Sequence, residues 1–380
     1  MHPLVTFLGW AALFFGGLGG LYALLAAEMT ARFLRRPAPR SASAPPVTLL
    51  KPLSGADPGL AENLESFCRQ AYDGPIQIVL GVQDHADPAI HVVRRLQAAH
   101  PELDITLVID GAEHGANRKI ANLINMSGAA RHEILILSDS DISAPPDYVS
   151  RITAALERPG VGVVTYLYVG EARGGMWARL GAMAINYQFL PNAILAASLG
   201  LAEPCMGSTI ALTASVLRKI GGFQAFRDHL ADDYEIGRAV RALGYRIAMP
   251  SLLLGHSCSD ATGGELIRHE IRWGRTIRLI DGAGYFGSLV TYALPLAVIG
   301  ATLLGFSEVS LALILAILIS RLILKHRIDA ATGTEAGALW LMPLRDVLSF
   351  VVFLASLTGA SVSWRGRRYR VGPDGVLAPL

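Results

Sequence analysis

Long apolar stretches at the two ends of the chain enclose a central region in which short apolar runs alternate with polar segments. Residues 4–27 are almost wholly apolar and are about long enough to cross a bilayer as one helix. Residues 289–306 and 309–324 are two further stretches of this kind, joined by a nearly uncharged turn, which predicts a hairpin of membrane helices. The pattern therefore predicts a soluble domain held between membrane segments.

The central region has the pattern of an α/β fold. Short runs rich in branched apolar side chains alternate with stretches of helical character, which predicts right-handed β-α-β units and a parallel, nucleotide-binding type of sheet. The predicted strands are VTLLKPL, IQIVLGVQD, DITLVID, EILILSDSD and VGVVTYLYV. The predicted helices cover residues 58–70, 88–100 and 118–130.

Two apolar segments are interrupted by polar residues and fit more than one structure. Residues 176–202 fit an amphipathic segment lying against the membrane or a lipid acceptor, and fit a buried helix pair equally well. Residues 338–362 contain Arg345 and Asp346 and precede a basic tail. If this segment crossed the membrane, the basic tail would lie on the side opposite to the one that the positive-inside bias favours. We expect a re-entrant or interfacial element at this place.

Basic residues predict the orientation of the first apolar stretch. It is followed by Arg32, Arg35, Arg36 and Arg40, so the positive-inside bias places the next domain in the cytoplasm. No basic segment precedes it, and we therefore expect a retained anchor rather than a cleaved signal.

The composition agrees with a membrane protein, because 52% of the 380 residues are hydrophobic and only 17% are charged. The formal net charge is +2, and we expect no nucleic-acid partner. The three cysteines are far apart and lack Cys-x-x-Cys spacing, which argues against a disulfide framework and a zinc site. No G-x-G-x-x-G or Walker A sequence occurs, which disfavours dinucleotide enzymes and P-loop ATPases.

Acidic residues follow two of the predicted strands. Asp139 and Asp141 follow EILIL, and Asp84 follows the second strand, so all three should lie at one edge of the sheet. A DxD sequence alone is common in solvated turns. A buried strand that ends in two neighbouring carboxylates, however, favours a bound cation, and carboxylate oxygens suit Mg²⁺ or Mn²⁺.

Two later segments add candidate chemistry. Asp232 and Asp233 begin a predicted helix, where the helix dipole favours acidic residues. Capping of the helix would explain one of the two acids, but it does not require both. In residues 266–280, Arg272 stands beside Trp273 on a basic amphipathic helix. This helix suits an anionic membrane surface, and the guanidinium also suits a diphosphate.

Several residues have simpler interpretations. His114, His229 and His256 lack metal-ligand spacing, and we expect them to be surface or packed histidines. Gly207 and Ser208 fit an acceptor loop or an ordinary turn.

The candidate residues occur in a characteristic order along the chain, namely Asp84, Asp139, Asp141, Asp233, Arg272 and Trp273. This order resembles the processive and lipid-directed GT-A glycosyltransferases, whose motifs are D, DxD, D and Q/R-x-x-R-W. The sequences KPL, GVQD, SDSDI and ADDY are most similar to the ceramide glucosyltransferase family. HGANRKIANLINM, LADDYEIG and HEIRW resemble its bacterial hopanoid-associated branch, over about residues 5–370.

The resemblance implies a role for each residue. Asp139 and Asp141 would hold a divalent metal ion, Mg²⁺ or Mn²⁺, that bridges the diphosphate of a UDP-sugar. Asp233 would be the general base of an inverting displacement. The implied nucleotide-site residues are Lys51, Asp84, Lys119, Asp139, Arg272 and Trp273.

The resemblance also implies substrates and a location. The expected donor is UDP-N-acetylglucosamine, and the expected acceptor is a membrane lipid, a hopanoid such as bacteriohopanetetrol, in the bacterial inner membrane. Alternatives are a ceramide glucosyltransferase using UDP-glucose, a polyprenyl-phosphate glycosyltransferase, and a non-enzymatic transporter or scaffold. Two departures bear on this: His269 replaces the first Gln or Arg of Q/R-x-x-R-W, and Leu190 precedes Pro191 where ceramide enzymes carry a histidine.

These expectations divide the chain into six segments. They are an N-terminal anchor (1–28), a linker (29–46), a cytoplasmic GT-A catalytic domain (47–263), an amphipathic interfacial helix (264–284), a transmembrane hairpin (285–326) and a C-terminal membrane or re-entrant segment with a basic tail (327–380).

Overall fold

The computed structural model describes residues 2–37, 43–359, 361–364, 367–372 and 375–379. Arg40 and part of the predicted linker and basic tail therefore lie outside the described residues. The chain divides into two compact units. The sheet unit comprises Arg36–Arg173, Glu203–Ser259 and Trp364–Leu380, and the helical unit comprises Met1–Arg35, Gly174–Ala202 and Asp260–Ser363.

The secondary structure follows the predicted alternation through the sheet unit. The strands are β1 (Val47–Pro52), β2 (Ile76–Val82), β3 (Asp104–Ile109), β4 (Ile134–Leu137), β5 (Ile142–Ser143), β6 (Val161–Val164), β7 (Leu167–Ala172), β8 (Ile210–Thr213), β9 (Arg246–Ala248), β10 (Leu253–Cys258), β11 (Ser361–Trp364), β12 (Arg367–Val371) and β13 (Leu377–Pro379). The helices are α1 (Pro3–Leu34), α2 (Leu60–Cys68), α3 (Ala89–Ala99), α4 (Arg118–Ser127), α5 (Tyr148–Leu156), α6 (Met176–Ala184), α7 (Leu190–Ser198), α8 (Ala214–Lys219), α9 (Asp232–Ala242), α10 (Gly263–Ile280), α11 (Gly282–Gly287), α12 (Ala293–Leu304), α13 (Glu308–Thr332) and α14 (Met342–Ser356).

A seven-stranded sheet with the order β3-β2-β1-β4-β8-β6-β9 forms the centre of the sheet unit. The first four strands are parallel, and β8 runs antiparallel to β4 and β6. Leu50 of β1 pairs with Val79 of β2 on one side and with Leu137 of β4 on the other. The α/β class is therefore confirmed, and β1, β2 and β4 end at the same edge of the sheet.

Both faces of this sheet are buried. Leu49 packs with the apolar sides of α2, α3 and α5, whereas its neighbour Leu50 packs with those of α4, α8 and α9. This burial explains why the parallel strands read as continuous apolar runs rather than as an alternating pattern. A three-stranded sheet, β5-β10-β7, lies beyond the end of β4.

Two local predictions were wrong. The sequence VGVVTYLYV was predicted as one strand, but it breaks after Val164, so that β6 joins the large sheet and β7 joins the small one. Asp139 and Asp141 do not continue the strand periodicity of β4, because β4 ends at Leu137 and both acids lie in the turn that leads to β5. The turn gives the two carboxylates different partners.

The helical unit is built around α1. This helix packs against α12 and α13, and it approaches α12 closely because Gly16 offers no side chain. A Cβ at Gly16 would lie 3.0 Å from main-chain atoms of Ala293 and Ala297. Residues 176–202 form α6, a π-helical turn over Ile185–Phe189 and α7, with Tyr187 and Leu190 buried. This arrangement agrees with the helix-pair alternative for that segment.

Within the described part of the chain, three helical segments are long and apolar enough to span a membrane, namely Pro3–Leu34, Glu308–Thr332 and Leu339–Ser356. A fourth candidate is broken, because Gly282–Thr291 and Ala293–Leu304 meet at 66°. The first two contain predicted membrane segments of the sequence. Leu339–Ser356 meets the length and hydropathy criteria in spite of Arg345 and Asp346, while our expectation of a re-entrant element there stays a prediction.

Candidate functional site

A cluster of carboxylates around one lysine lies at the carboxyl edge of the large sheet. Lys119, near the start of α4, places its Nζ 2.7 Å from Asp139 Oδ1 and 3.4 Å from Asp232 Oδ2. Burial alone would lower the pKa of Lys119, but the carboxylates of Asp139, Asp232 and Asp233 outweigh it and raise the pKa above 10.5. The lysine is therefore a permanent cation that compensates the acids around it, of which Asp232 is buried.

Asn117 connects the elements that carry these groups. Its side-chain oxygen caps α4 by accepting the N–H of Ile120 at 3.0 Å. Its amide nitrogen donates to the carbonyl of His229 at 2.8 Å and to Asp232 Oδ1 at 3.2 Å. Because one side chain bonds both helix starts, α4 and α9 bring Lys119 and the two acids of α9 to the same place.

Asp233 is held by two main-chain donors. The N–H of Gly207 donates to its Oδ2 at 2.9 Å, and the N–H of Tyr234 donates to its Oδ1 at 2.8 Å. Burial and the charge of Asp232 raise the pKa of Asp233 to about 6. The carboxylate is thus fixed in orientation and closer to neutrality than an ordinary aspartate, as a general base requires.

The loop that carries Gly207 is itself anchored to the segment between β6 and β7. Thr165 Oγ1 accepts the N–H of Met206 at 2.9 Å, and Ser208 Oγ donates to the carbonyl of Tyr166 at 2.8 Å. These bonds fix the main-chain donor that orients Asp233.

Gly207 touches three charged groups at once. A Cβ there would lie 3.2 Å from Asp139 Oδ2, 3.2 Å from Lys119 Nζ and 3.4 Å from Asp233 Oδ2. Gly207→Ala should therefore displace the cluster by a few tenths of an ångström, and we expect turnover to fall roughly tenfold, since a 1 Å misplacement can cost about 10²-fold.

Gly128→Ala is the matched control for this substitution, because it also has an ordinary negative φ and a Cβ there meets nothing within 4 Å. Initial rates of both purified variants check the prediction. Equal rates for the two variants would contradict the idea that the contacts of Gly207 matter.

Lys51 lies beneath the turn that carries the two acids. It is fully buried, with its Nζ donating to the Asp139 carbonyl at 2.8 Å and to Ser138 Oγ at 3.2 Å, over the ring of Phe67. Burial lowers the pKa of Lys51 to about 7, against the opposing effect of Asp139 and Asp141. Its position fits a main-chain support better than a direct contact with a nucleotide.

Asp141 faces His256 of β10, whose Nε2 lies 3.4 Å from Asp141 Oδ2. The other oxygen, Oδ1, is buried and accepts no hydrogen bond from any described residue. A buried carboxylate oxygen without a hydrogen-bond partner is suited to ligate a cation. Although the described residues contain no cluster of three or more potential ligands, Mg²⁺ is commonly held by one or two carboxylates with substrate phosphates and water. The pair Asp139 and Asp141 therefore fits a divalent ion.

Asp84 lies past the end of β2, at the same edge of the sheet, and its side chain is exposed. Its Oδ1 accepts the N–H of Ala86 at 2.9 Å, which shapes the local turn. Asp87 instead reaches across to the loop after β1, where both of its oxygens accept the N–H of Gly55 at 3.0 Å. Asp84 is thus available to a ligand, and Asp87 has a structural bond.

Arg272 and Trp273 lie on α10 in the helical unit, both partly buried. The ring of His269, one turn earlier, is 4.2 Å from that of Trp273, and its Nδ1 is 3.7 Å from Asp260 Oδ2. The residue that replaces the usual Gln or Arg therefore packs on the tryptophan of the motif.

Asp232 has a different role from the one that the sequence suggests, and His256 makes a contact that the sequence does not indicate. Asp232 is not a cap, because Ala231 precedes α9 without a side-chain cap, and Asp232 instead bonds Asn117 and approaches Lys119. His256 is a packed histidine, as expected, because it is buried and its ring stacks on that of Tyr168, but it also faces Asp141. No local sequence signal indicates this contact, since only the pairing of β10 with β5 brings residues 115 positions apart together.

Comparison with known proteins is consistent with this site. A family model described as Glycosyl transferase family 21 matches residues 15–377. Ceramide glucosyltransferase 1 from Caenorhabditis elegans is 28% identical over 206 residues, 54% of this chain and 44% of that protein. Ceramide glucosyltransferase 3 from the same organism is 27% identical over 238 residues, 61% of this chain and 50% of that protein. The chain thus spans about half the length of the curated relatives it matches.

Among solved structures, a mannosyltransferase from Pyrobaculum calidifontis in complex with GDP-Man and Mn²⁺ aligns over 91% of this chain and 99% of its own, with a TM-score of 0.55 and 19% identity. At this identity the likeness shows the fold, which is a mixed α/β glycosyltransferase fold resembling GT-A. Because the family model covers nearly the whole chain, the protein belongs to glycosyl transferase family 21, whose relatives include ceramide glucosyltransferases.

Proposed function

We propose that this protein is a metal-dependent, inverting glycosyltransferase that moves a sugar from a nucleoside diphosphate to a hydroxyl group of a membrane lipid. The proposal is carried by the cluster in which Asp139, Asp232 and Asp233 gather around Lys119, beside the unpartnered oxygen of Asp141. Such a site offers carboxylates for a cation and a separate carboxylate with a raised pKa. A displacement at a sugar diphosphate needs both.

In the proposed reaction, the Asp233 carboxylate takes the proton of the acceptor hydroxyl as that oxygen attacks the anomeric carbon. The bond from this carbon to the diphosphate oxygen breaks, and its electron pair leaves with the nucleoside diphosphate. One displacement inverts the centre, so an α-linked donor gives a β-glycoside. A divalent ion held by Asp139 and Asp141 would stabilise the charge of the leaving diphosphate. The N–H groups that bond Asp233 keep it aligned throughout.

The remaining predicted residues act around this centre. Following the motif resemblance, we assign Asp84 to the uracil or ribose, and Arg272 with Trp273 to the diphosphate. Lys119 orients and neutralises Asp139, and Lys51 holds the main chain beneath it.

The donor and acceptor are the finer part of the proposal. UDP-N-acetylglucosamine and bacteriohopanetetrol follow from the resemblance of HGANRKIANLINM and HEIRW to the hopanoid-associated branch. The names of the curated relatives favour glucose and ceramide instead, although the match covers about half of their length. The candidate spans support a membrane enzyme, and we place it in the bacterial inner membrane.

A transfer assay tests the function and separates these substrates. The detergent-purified protein is incubated with Mn²⁺ or Mg²⁺, with labelled UDP-N-acetylglucosamine, UDP-glucose or GDP-mannose, and with bacteriohopanetetrol, ceramide or a polyprenyl phosphate. We expect label only in the hopanoid, from UDP-N-acetylglucosamine. Transfer to ceramide alone would replace the acceptor and keep the enzyme class, and no transfer in any combination would reject the class.

The transporter alternative predicts ionisable residues inside the spans. Such residues do occur, because Arg321 lies in α13 and Asp346 in α14, but they are paired with each other at 2.6 Å. Charged residues in the helices therefore do not distinguish a transporter from a glycosyltransferase. Membership of a glycosyltransferase family favours the glycosyltransferase.

The proposed base predicts a pH dependence. Asp233 must be ionised to accept a proton and its pKa is about 6, so kcat/KM should fall about tenfold per pH unit below that value and level off above it. Initial rates between pH 5 and 8 measure this profile. Brief incubation at pH 5 followed by assay at pH 7.5 excludes irreversible loss, and a profile flat down to pH 5 would contradict the assignment of the base.

A further inference from the structure

One side of α10 is clamped by a buried ion pair with α14. Arg345 Nη1 and Nη2 donate to the two carboxylate oxygens of Glu270, each at 2.8 Å. The side chains of Arg345 and Glu270 are only 2% and 10% exposed. The guanidinium also donates to Ser349 Oγ at 3.0 Å and to the Leu180 carbonyl at 3.2 Å, so α6, α10 and α14 all bond the same group.

Two further arginines of α10 bond the end of α14. Arg275 donates to the carbonyls of Thr358 and Ser361 at 3.0 and 2.9 Å. Arg278 donates to those of Ser356 and Gly359 at 3.1 and 2.7 Å. The Ser356 carbonyl is at the end of α14, where carbonyls lack partners within the helix, and the other three belong to the segment that follows it. Both arginines therefore have a bonding role besides the attraction to anionic lipid that the basic pattern predicts.

The contacts with α14 and the motif residues occupy different angles around the axis of the same helix, α10. Glu270, Gly274 and Arg278 are four residues apart and share one face, and a Cβ at Gly274 would lie 3.0 Å from Ser356 Cβ. With 3.6 residues per turn, Arg272 lies about 160° from Glu270 around the helix axis, and Trp273, one turn after Glu270, lies about 60° from it. The rotation of α10 about its axis therefore fixes the direction in which the motif residues point.

We propose that Arg345 and Glu270 are positioning residues for Arg272 and Trp273, an inference that rests on the proposed function. Side-chain tips lie about 5–6 Å from a helix axis, so a rotation of about 10° moves them by about 1 Å. A shift of that size can cost about 10²-fold in rate. A buried ion pair contributes little more to the free energy of unfolding than a well-packed apolar pair would. The ion pair of Arg345 and Glu270 is therefore better explained by its effect on the orientation of α10 than by stability.

The neighbouring residue of α14 provides a matched control. Asp346 accepts two hydrogen bonds from Arg321 of α13, at 2.9 and 2.6 Å, with side chains 9% and 10% exposed. This pair is equally bidentate and nearly as buried, yet it joins α14 to α13 and leaves α10 untouched. A purely structural role predicts the same behaviour for the two pairs.

The test compares Arg345→Lys and Glu270→Gln with Arg321→Lys and Asp346→Asn in the full-length protein in detergent. Melting temperature, the Kd of UDP with Mn²⁺, and kcat and KM for donor and acceptor are measured for each. We expect the first two variants to lose about 10- to 10²-fold in kcat/KM for the donor, with acceptor KM unchanged. The second two should melt earlier by a similar amount and keep kcat/KM within about threefold.

A second measurement uses the background Arg272→Ala. If Arg345 acts through Arg272 and Trp273, Arg345→Lys should add little further loss there, because coupled residues are not additive. Equal kinetic losses at both ion pairs, no loss at Arg345, or full additivity with Arg272→Ala would each overturn the proposal. A wild type that neither transfers sugar nor binds UDP would instead reject the proposed function, and this inference with it.

Discussion

Asp233→Asn is expected to lower kcat by about 10²- to 10⁴-fold, the usual contribution of a general base. The amide is nearly the same size and its oxygen can still accept the N–H of Gly207, so the loop should keep its place. What disappears is the carboxylate that we propose takes the proton of the acceptor hydroxyl. The Kd of UDP with Mn²⁺, measured by calorimetry, should change less than threefold, because this carboxylate is not assigned to the nucleotide.

Asp228→Asn is the control for that substitution. Asp228 lies in the segment that leads into α9, and its carboxylate bonds the N–H of Ala116 rather than a group of the site. Its replacement should leave kcat within a few-fold of wild type. If Asp233→Asn retains more than about a tenth of wild-type kcat, the base is another residue.

Asp141→Asn should abolish the benefit of the divalent ion and lower turnover by about 10²-fold or more, roughly 3 kcal/mol of barrier. Asp141 is a cleaner probe than Asp139, because Asp139 is also the nearest counter-ion of Lys119, at 2.7 Å, and its loss would perturb the whole cluster. Mn²⁺ binding, followed by electron paramagnetic resonance with and without UDP, should weaken in parallel with activity. The melting temperature should change little.

Asp147→Asn provides the comparison for this second variant. Asp147 follows the same turn, is about as exposed as Asp141 (41% against 43%), and pairs with Arg151 instead of a ligand. We expect normal Mn²⁺ binding and activity from it. Unchanged Mn²⁺ affinity in Asp141→Asn would show that the ion, if used at all, binds elsewhere.

The parallel part of the fold is readable from the sequence because its strands are buried on both faces. Runs of branched apolar residues such as ILIL, separated by helices, predict a parallel sheet covered by helices on both faces. The break after Val164 is not readable. It depends on which of two sheets each half joins, and that choice is made by pairing with β8, β9 and β10, far away in sequence.

The residues of the site also differ in whether the sequence alone indicates them. Asp139 and Asp233 are indicated by local patterns, an acidic turn after a buried strand and an acidic helix start. The direct contact of Lys119 with Asp139, the donor at Gly207 and the approach of His256 to Asp141 depend on tertiary contacts between distant segments. Lys51 was predicted from the KPL sequence as a residue near the nucleotide, and only its burial reveals support of the Asp139 main chain.

The ammonium group of Lys119 has a consequence for the maturation of the protein. It already serves as the counter-ion of Asp139 and Asp232, so newly synthesised chains can assemble this edge of the sheet without first capturing a metal ion. Proteins whose folding requires zinc depend on the cellular metal supply to fold at all. For the proposed metal-dependent enzyme, scarcity of divalent ions should therefore stop sugar transfer without unfolding the protein.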